Sequence, residues 1–444
     1  MTGQTRRLVV CFDGTWNTDR SNTNVSRLFR KIADENSGCR DQRRFYDEGV
    51  GTKLGERIQG GMLGMGLDRN IRQGWAWLGS QFPLTGELGF DDAGFVKSPD
   101  IFVFGFSRGA FTARSLGGLI NYLGVPRLDA SKPPDSEADL HEYPVVLNAW
   151  ELYAARPTKA DRDQVLAGRA SDTLKTTVAE HDANVAKFRK DCAIYPVRIH
   201  FMGVWDTVGA LGIPRVLDYP WIPRPSTKYQ FHDTQLGRCV RFAYHAVAID
   251  EQRESYCVTL WTDTQPTTEA VEQRWFPGAH ADVGGGYEDD LLPDPPLAWI
   301  ALKAADHGLH FVNDRGDIEP VSKEILPSVA RPPAAFDLDG REYLSPVHDS
   351  YAEFMGGMYR VLRSLPGASG RVFRRMLVVQ DGIGQTVDAT AYQKLDADLY
   401  YRPPNLAQAG RLDVNYALAT LDTGETERPA QIQNATSNPS TGTS

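Results

Sequence analysis

The chain has 444 residues, 41% hydrophobic and 24% charged, proportions that exclude a protein disordered throughout, a collagen-like repeat and a coiled coil. Its 48 Lys and Arg against 57 Asp and Glu give a formal net charge of −9, with no global attraction to phosphodiester backbones or anionic lipid, so no nucleic-acid partner is expected. Five cysteines (Cys11, Cys39, Cys192, Cys239, Cys257) form no CxxC pair and are odd in number, which fits neither a disulfide scaffold nor a zinc ribbon.

From the N-terminus, Met1 to Arg7 lead directly into the apolar stretch Leu8–Phe12, too short for a signal peptide, and nowhere do 18 apolar residues run together. The expectation is a protein made in the cytoplasm, with peripheral membrane contact at most. Leu8–Phe12 reads as a strand ending at Asp13-Gly14-Thr15. The Gly-rich run Gly60–Gly66 lacks the Lys-Ser/Thr of a phosphate loop and reads as a flexible turn. Further strands are predicted at Ile101–Gly105, Val197–Trp205 and Arg274–Pro277, each apolar on successive residues, as burial on both faces requires. Helix-like segments alternate with them. The fold class predicted is α/β, a mostly parallel sheet of α/β-hydrolase type with helices on both faces, whose ligands bind at the carboxyl ends of the strands.

Residues of about 125–190, with Pro-rich and charged stretches, read as an inserted cap region. Its helical candidate carries Val146, Trp150 and Tyr153 on one face, a stripe expected to pack on a core rather than form an apolar lip over a cleft. HAVAIDEQR, from His245, is read as helix-like. Residues 423–444 hold almost nothing apolar and are predicted to be a disordered tail, leaving 1–422 as one catalytic domain.

The strongest chemical signal is Gly105-Phe106-Ser107-Arg108-Gly109, a GxSxG between an apolar run and the helix-like AFTARSLGGLINYLG. A serine on a tight strand-to-helix turn needs glycines two before and two after, since side chains there would strike the neighbouring strand and helix. Serine at its own pKa is a poor nucleophile and demands a histidine base and a carboxylate to orient it. In the chain order Ser, acid, His, the base chosen is His280, which follows RWFP and enters the Gly-rich ADVGGGY. His200 reads as a core residue, His245 as a residue behind the triad, and His348 is less decidable. The acid chosen is Asp206, at the end of a buried strand, with Asp263 and Asp282 as rivals; Asp282 could instead be structural. For the oxyanion, the backbone N–H of Arg108 and a donor from the loop at Gly14 are expected, with the Asp13 carboxylate or the Thr15 hydroxyl pinning that loop. FDGT also suggests an aspartyl-phosphate phosphatase, but the nucleophile position of that motif is Cys11. His280 and Asp282, with Glu288, Asp289 and Asp290, could hold a divalent cation, so a metal-dependent hydrolase is the alternative enzyme class; the triad itself calls for no metal and no cofactor.

Taken together and in this order, LVVCFDGTWN, GFSRGAFTAR, GVWDTVGALG, HAVAIDEQR and WFPGAHADVGGGY resemble the α/β-hydrolase catalytic domain of the phospholipase effectors of bacterial type VI secretion systems, over roughly residues 6–360. HDSYAEF, from His348, resembles a further segment of that family. The resemblance implies Ser107 as nucleophile, Asp206 as acid and His280 as base. It also implies phospholipase A-type cleavage of glycerophospholipid esters, a secretion-apparatus carrier, an immunity protein and delivery to a target-cell periplasm. No large C-terminal membrane-engaging extension is recognisable, and a general carboxylesterase is the alternative substrate reading. A triad-less binding module is disfavoured, because a candidate exists for every catalytic role.

Overall fold

Apolar runs that leave water must pair their backbone N–H and C=O groups, and here they do so with one another. The computed structural model describes residues 6–14, 22–49, 62–82, 89–128, 142–209, 235–253, 256–287, 291–318, 336, 338, 340–350, 382–403 and 406. Among these residues seven strands form one sheet: β1 (Arg7–Phe12), β2 (Gln42–Asp47), β3 (Val96–Phe106), β6 (Val197–Trp205), β7 (Val240–Ala248), β8 (Ala270–Phe276) and β9 (Gln385–Val387). Their order is β2-β1-β3-β6-β7-β8-β9 and every pairing is parallel.

Register decides what this sheet can present. Phe12 lies beside Gly105, Phe106 beside Trp205, Trp205 beside Ala246, and Ala248 beside Phe276. The chain therefore leaves β1, β3, β6 and β8 at one edge, delivering Asp13, Ser107, Asp206 and the approach to His280 to a common place.

Alternation along each strand fills two cores. Leu8, Val10 and Phe12 point to one face, where α2 (Met62–Gln81) contributes Ile71, Trp75 and Leu78, and α3 (Arg108–Leu123) contributes Ala113, Leu116 and Ile120. Val9 and Cys11 point to the other, with Phe102, Phe104 and Phe201, under α1 (Asn24–Lys31) and α8 (Asp294–Asp306). Both faces are thus covered, as a parallel sheet requires.

Two local expectations are corrected. The Gly-rich run expected to be a flexible turn is helical from Met62, as the start of α2, while residues 60 and 61 lie outside the described residues. Burial of Trp75, whose indole N–H donates to the Gly124 carbonyl at 2.8 Å, outweighs the low helix propensity of glycine. Gly74 further along has a packing reason, because a Cβ there would come within 2.6 Å of the Phe12 ring. His245 lies in strand β7 rather than in a helix. A run buried on successive positions looks the same in either structure by periodicity alone, and here pairing with β6 and β8 decides.

The segment between α3 and β6 closes at its base through a two-stranded antiparallel pair, β4 (Val125–Pro126) with β5 (Ile194–Tyr195). It contains α4 (Pro144–Ala154), α5 (Lys159–Leu166) and α6 (Asp172–Asp191); residues 129–141 lie outside the described residues. Helix α4 buries Val146, Ala149 and Tyr153 in the first core, with Trp150 packed against it, so its apolar face is occupied by the body of the protein. The tail expected at 423–444 also lies outside the described residues. Among those described, no helix is long and apolar enough to cross a membrane.

Gln273 of β8 is fully buried and ties the sheet to two loops: its Oε1 accepts from Trp261 N at 2.8 Å, and its Nε2 donates to the carbonyls of Trp261 and Ile383 at 2.9 and 2.7 Å. Gln273→Leu takes the acceptor from the buried Trp261 N–H and a donor from the Ile383 carbonyl, while the Trp261 carbonyl keeps Ile383 N at 3.1 Å, and is expected to cost about 2 kcal/mol. Urea denaturation checks this; an unchanged midpoint would contradict it.

Candidate active site

Strand β3 ends at Phe106 and α3 begins at Arg108, which leaves Ser107 alone to turn the chain. It does so at φ 59° and ψ −121°, a conformation that non-glycine residues adopt only when their surroundings force it. The forcing contacts are visible. Ser107 N donates to the Trp205 carbonyl at 3.0 Å, and the Ser107 carbonyl accepts from Phe111 N at 3.2 Å. A Cβ at Gly105 would lie 2.4 Å from the Gly109 carbonyl oxygen, and one at Gly109 would lie 2.2 Å from that of Phe12. Backbone on each side thus explains both glycines of the motif.

Asp206 follows β6 and also has a positive φ, 39°. Its N–H donates to the Ala246 carbonyl at 2.7 Å, and its Oδ1 accepts from Ala248 N at 2.9 Å, so the neighbouring strand holds it from both sides. His280 opens α7 (His280–Gly284), a short helix where a Gly-rich loop was expected. Its Nδ1 lies 2.5 Å from Asp206 Oδ2 and its Nε2 lies 2.7 Å from Ser107 Oγ. The three side chains are therefore hydrogen-bonded in series. The imidazole is enclosed by the rings of Phe106, centroid 4.7 Å away, and Tyr256, edge-on at 4.8 Å. Burial pushes its pKa below the ordinary histidine value, with the Asp206 hydrogen bond acting in the opposite sense.

The remaining sequence candidates surround this series in different ways. The Asp13 carboxylate accepts from Gly14 N at 2.6 Å, from Thr23 Oγ1 at 2.5 Å and from Tyr46 Oη at 2.6 Å, binding the end of β1 to the start of α1 and to β2. The Gly14 N–H is thereby directed at Asp13; Thr15 lies outside the described residues. Arg108 is the first residue of α3, beside Ser107, and burial lowers the pKa of its guanidinium. His245 is buried, with Nε2 accepting from Thr207 N at 3.0 Å and Nδ1 at 3.3 Å from Gln273 Oε1, so it holds the chain just beyond Asp206. Asp282 turns away from His280: it accepts from Ala279 N at 2.8 Å, from His348 N at 3.1 Å and from His348 Nδ1 at 2.6 Å. The His348 ring stacks on Tyr287 at 3.7 Å. Asp263 is exposed. His200, half-buried, lies between the His307 carbonyl at 3.1 Å and Arg241 Nη1 at 3.2 Å.

For a divalent cation, His280 and Asp282 would have to face a common point, and they face separate partners. Among the described residues no group of three His, Cys, Asp or Glu is arranged to hold a metal; Glu288, Asp289 and Asp290 are outside them. Cys11 is enclosed in the second core, and burial raises its thiol pKa.

Sequence reasoning missed a cluster behind His280. Glu251 accepts from Arg253 Nε and Nη2, both at 2.8 Å, from Arg253 N at 2.7 Å, from His280 N at 3.2 Å and from Ser350 Oγ at 3.1 Å. Asp250 accepts from Gly278 N at 2.7 Å and from Tyr401 Oη at 2.9 Å. The only available signal was three ionisable residues in IDEQR immediately after an apolar run.

A serine at a strand-to-helix elbow of a parallel sheet, joined at the same edge to a histidine and a carboxylate from later strands, defines the α/β-hydrolase class of architecture. The chain belongs to the family described as "T6SS, Phospholipase effector Tle1-like, catalytic domain", which matches residues 6–303. It is 25% identical over 332 residues to "Uncharacterized protein YEL023C" of Saccharomyces cerevisiae, a match covering 68% of this chain and 40% of that protein. The chain thus spans about two fifths of the length of that relative. Similar solved structures include an uncharacterized protein from Pseudomonas aeruginosa, 16% identical with a TM-score of 0.38, covering 71% of this chain and 47% of that one. Another is the Tle1 effector bound to the VgrG spike from the Type 6 secretion system, 16% identical with a TM-score of 0.32, covering 64% and 52%.

Asp250 gives this region a pH signature. Desolvation raises its pKa from 3.8 to about 7, outweighing the Gly278 and Tyr401 hydrogen bonds, which favour the ionised form. Between those values the unfolded chain releases the proton and the folded chain keeps it, so stability falls as pH rises from about 4 to about 7 and then levels. Asp250→Asn removes that dependence. Its stability relative to wild type is expected to improve by on the order of 4 kcal/mol between pH 4 and pH 8, measured by denaturation at both; a constant difference would contradict it.

Proposed function

We propose that this protein is a serine-dependent carboxylic-ester hydrolase acting on glycerophospholipids in the manner of A-type phospholipases, with Ser107 as nucleophile, His280 as general base and Asp206 as its orienting acid. The observation that carries the reading is one imidazole bonded on both sides, 2.7 Å from a serine hydroxyl and 2.5 Å from a buried carboxylate. A carboxylate accepting from Nδ1–H leaves the Nε2 lone pair for the hydroxyl proton. The lowered His280 pKa keeps the ring neutral near pH 7, the form that can take that proton.

Ser107 Oγ attacks the acyl carbonyl as its proton passes to His280, and Asp206 steadies the imidazolium. The proton then goes to the leaving alcohol. Water, deprotonated by the same ring, releases the fatty acid and restores Ser107. The Arg108 N–H, at the positive end of α3, is suited to the developing oxyanion. A second donor from the turn after β1 would be the Gly14 amide, once released from Asp13, or Thr15.

Phospholipid as substrate rests on family membership, as does a secretion-apparatus carrier, since a Tle1 effector has been seen bound to a VgrG spike. An immunity partner and delivery to a target-cell periplasm belong to the same reading. Residues 125–190 are read as a cap on a single catalytic domain.

Vesicles of phosphatidylethanolamine and phosphatidylglycerol incubated with purified protein are expected to yield lysophospholipid and free fatty acid. Ser107→Ala and His280→Ala should each lower the rate by about 10⁴-fold or more, with no effect of EDTA. Cleavage confined to small soluble esters would mark a general carboxylesterase, and a Ser107→Ala protein as active as wild type would refute the mechanism.

A further inference from the structure

The proposed reaction needs the His280 ring held at a fixed place and a fixed charge, and Asp206 touches only one of its edges. Behind the ring lies a buried ion pair. The Glu251 carboxylate is 1% exposed and Arg253 6%, and the guanidinium grips the carboxylate with two bonds of 2.8 Å. The pair reaches His280 twice. Glu251 Oε2 accepts from the His280 backbone N–H at 3.2 Å, while the Arg253 guanidinium lies 3.5 Å from the centre of the Tyr256 ring, whose edge meets the imidazole. Ser350 Oγ donates to the same carboxylate at 3.1 Å, fixing it from a third side.

Burying two charges where apolar side chains could fill the space is costly, and the planar fork of arginine suits it to hold a carboxylate in one orientation. We infer that Glu251 and Arg253 are positioning residues for His280, fixing its backbone and its ring contact while presenting it with nearly balanced charge. The inference rests on the mechanism proposed above. Among the described residues, the groups that face the ring are Ser107 and Phe106 from the elbow, Asp206 from the end of β6, and Glu251, Arg253 and Tyr256 from the segment after β7. On its own helix Asp282 is occupied by Ala279 N and His348. Of the pair, Arg253 lowers the His280 pKa and Glu251 raises it, so removing one or the other has opposite effects.

The test is the pH dependence of kcat/KM on a short-chain ester for wild type, Glu251→Gln, Arg253→Gln and Arg253→Lys, with Ser107→Ala alongside. Neutral His280 is the active form, so activity rises with pH through its pKa. Glu251→Gln is expected to move the acid limb to lower pH and Arg253→Gln to higher pH, each by roughly half a unit or more. Arg253→Lys, which keeps the charge and loses the fork, should leave the limb in place and lower kcat on the plateau. Limbs that stay at the wild-type position, or move in the same direction, would overturn the inference. Should Glu251→Gln fail to fold, the contrast between Arg253→Gln and Arg253→Lys decides alone. Full activity of Ser107→Ala would instead strike the proposed mechanism itself, a separate result.

Discussion

The hydrogen bond between His280 Nδ1 and Asp206 Oδ2 joins two residues 74 positions apart in the chain, both buried. It forms because β6, β7 and β8 run parallel in a register that brings their carboxyl ends to one edge. A slip of one residue in that register would turn Asp206 to the opposite face of the sheet and break the series with Ser107. The site therefore depends less on any single loop than on the two cores that hold the strands in step.

That sheet also supports two conformations the chain would not choose locally. Ser107 and Asp206 both have positive φ, and each is clamped by backbone bonds to the adjacent strand, Ser107 to Trp205 and Asp206 to Ala246. Strain of this kind persists only where the surroundings over-determine it. The support extends past the region matched by the family. Ser350 bonds Glu251, His348 bonds Asp282 and Tyr401 bonds Asp250, so three side chains from after residue 303 staple the segment that carries His280.

Much of this was legible in the sequence. Strands buried on both faces announce themselves as continuous apolar runs, and the predicted strand Val197–Trp205 coincides with β6 in the structure. GxSxG could be read because its glycines answer to backbone contacts within a few residues. The limits have physical causes. HAVAIDEQR, whose first four residues end strand β7, reads as helix-like because burial on successive positions erases the periodicity that separates the two. The Gly-rich start of α2 reads as a turn because its helical state depends on tertiary contacts further along the helix, Trp75 bonding the Gly124 carbonyl and Gly74 fitting against Phe12. The Glu251–Arg253 pair shows in the sequence only as ionisable residues after an apolar run, since its meaning lies in reaching an amide 29 residues further on.

The central claim is that Asp206, His280 and Ser107 form one hydrogen-bonded series with the proton on Nδ1. Proton NMR of the resting protein, with the imidazoles ¹⁵N-labelled, tests it most directly. The account predicts a far-downfield N–H resonance assignable to His280 Nδ1, retained in Ser107→Ala and lost in Asp206→Asn. Absence of that resonance in the wild-type protein, or its survival in Asp206→Asn, would contradict the account.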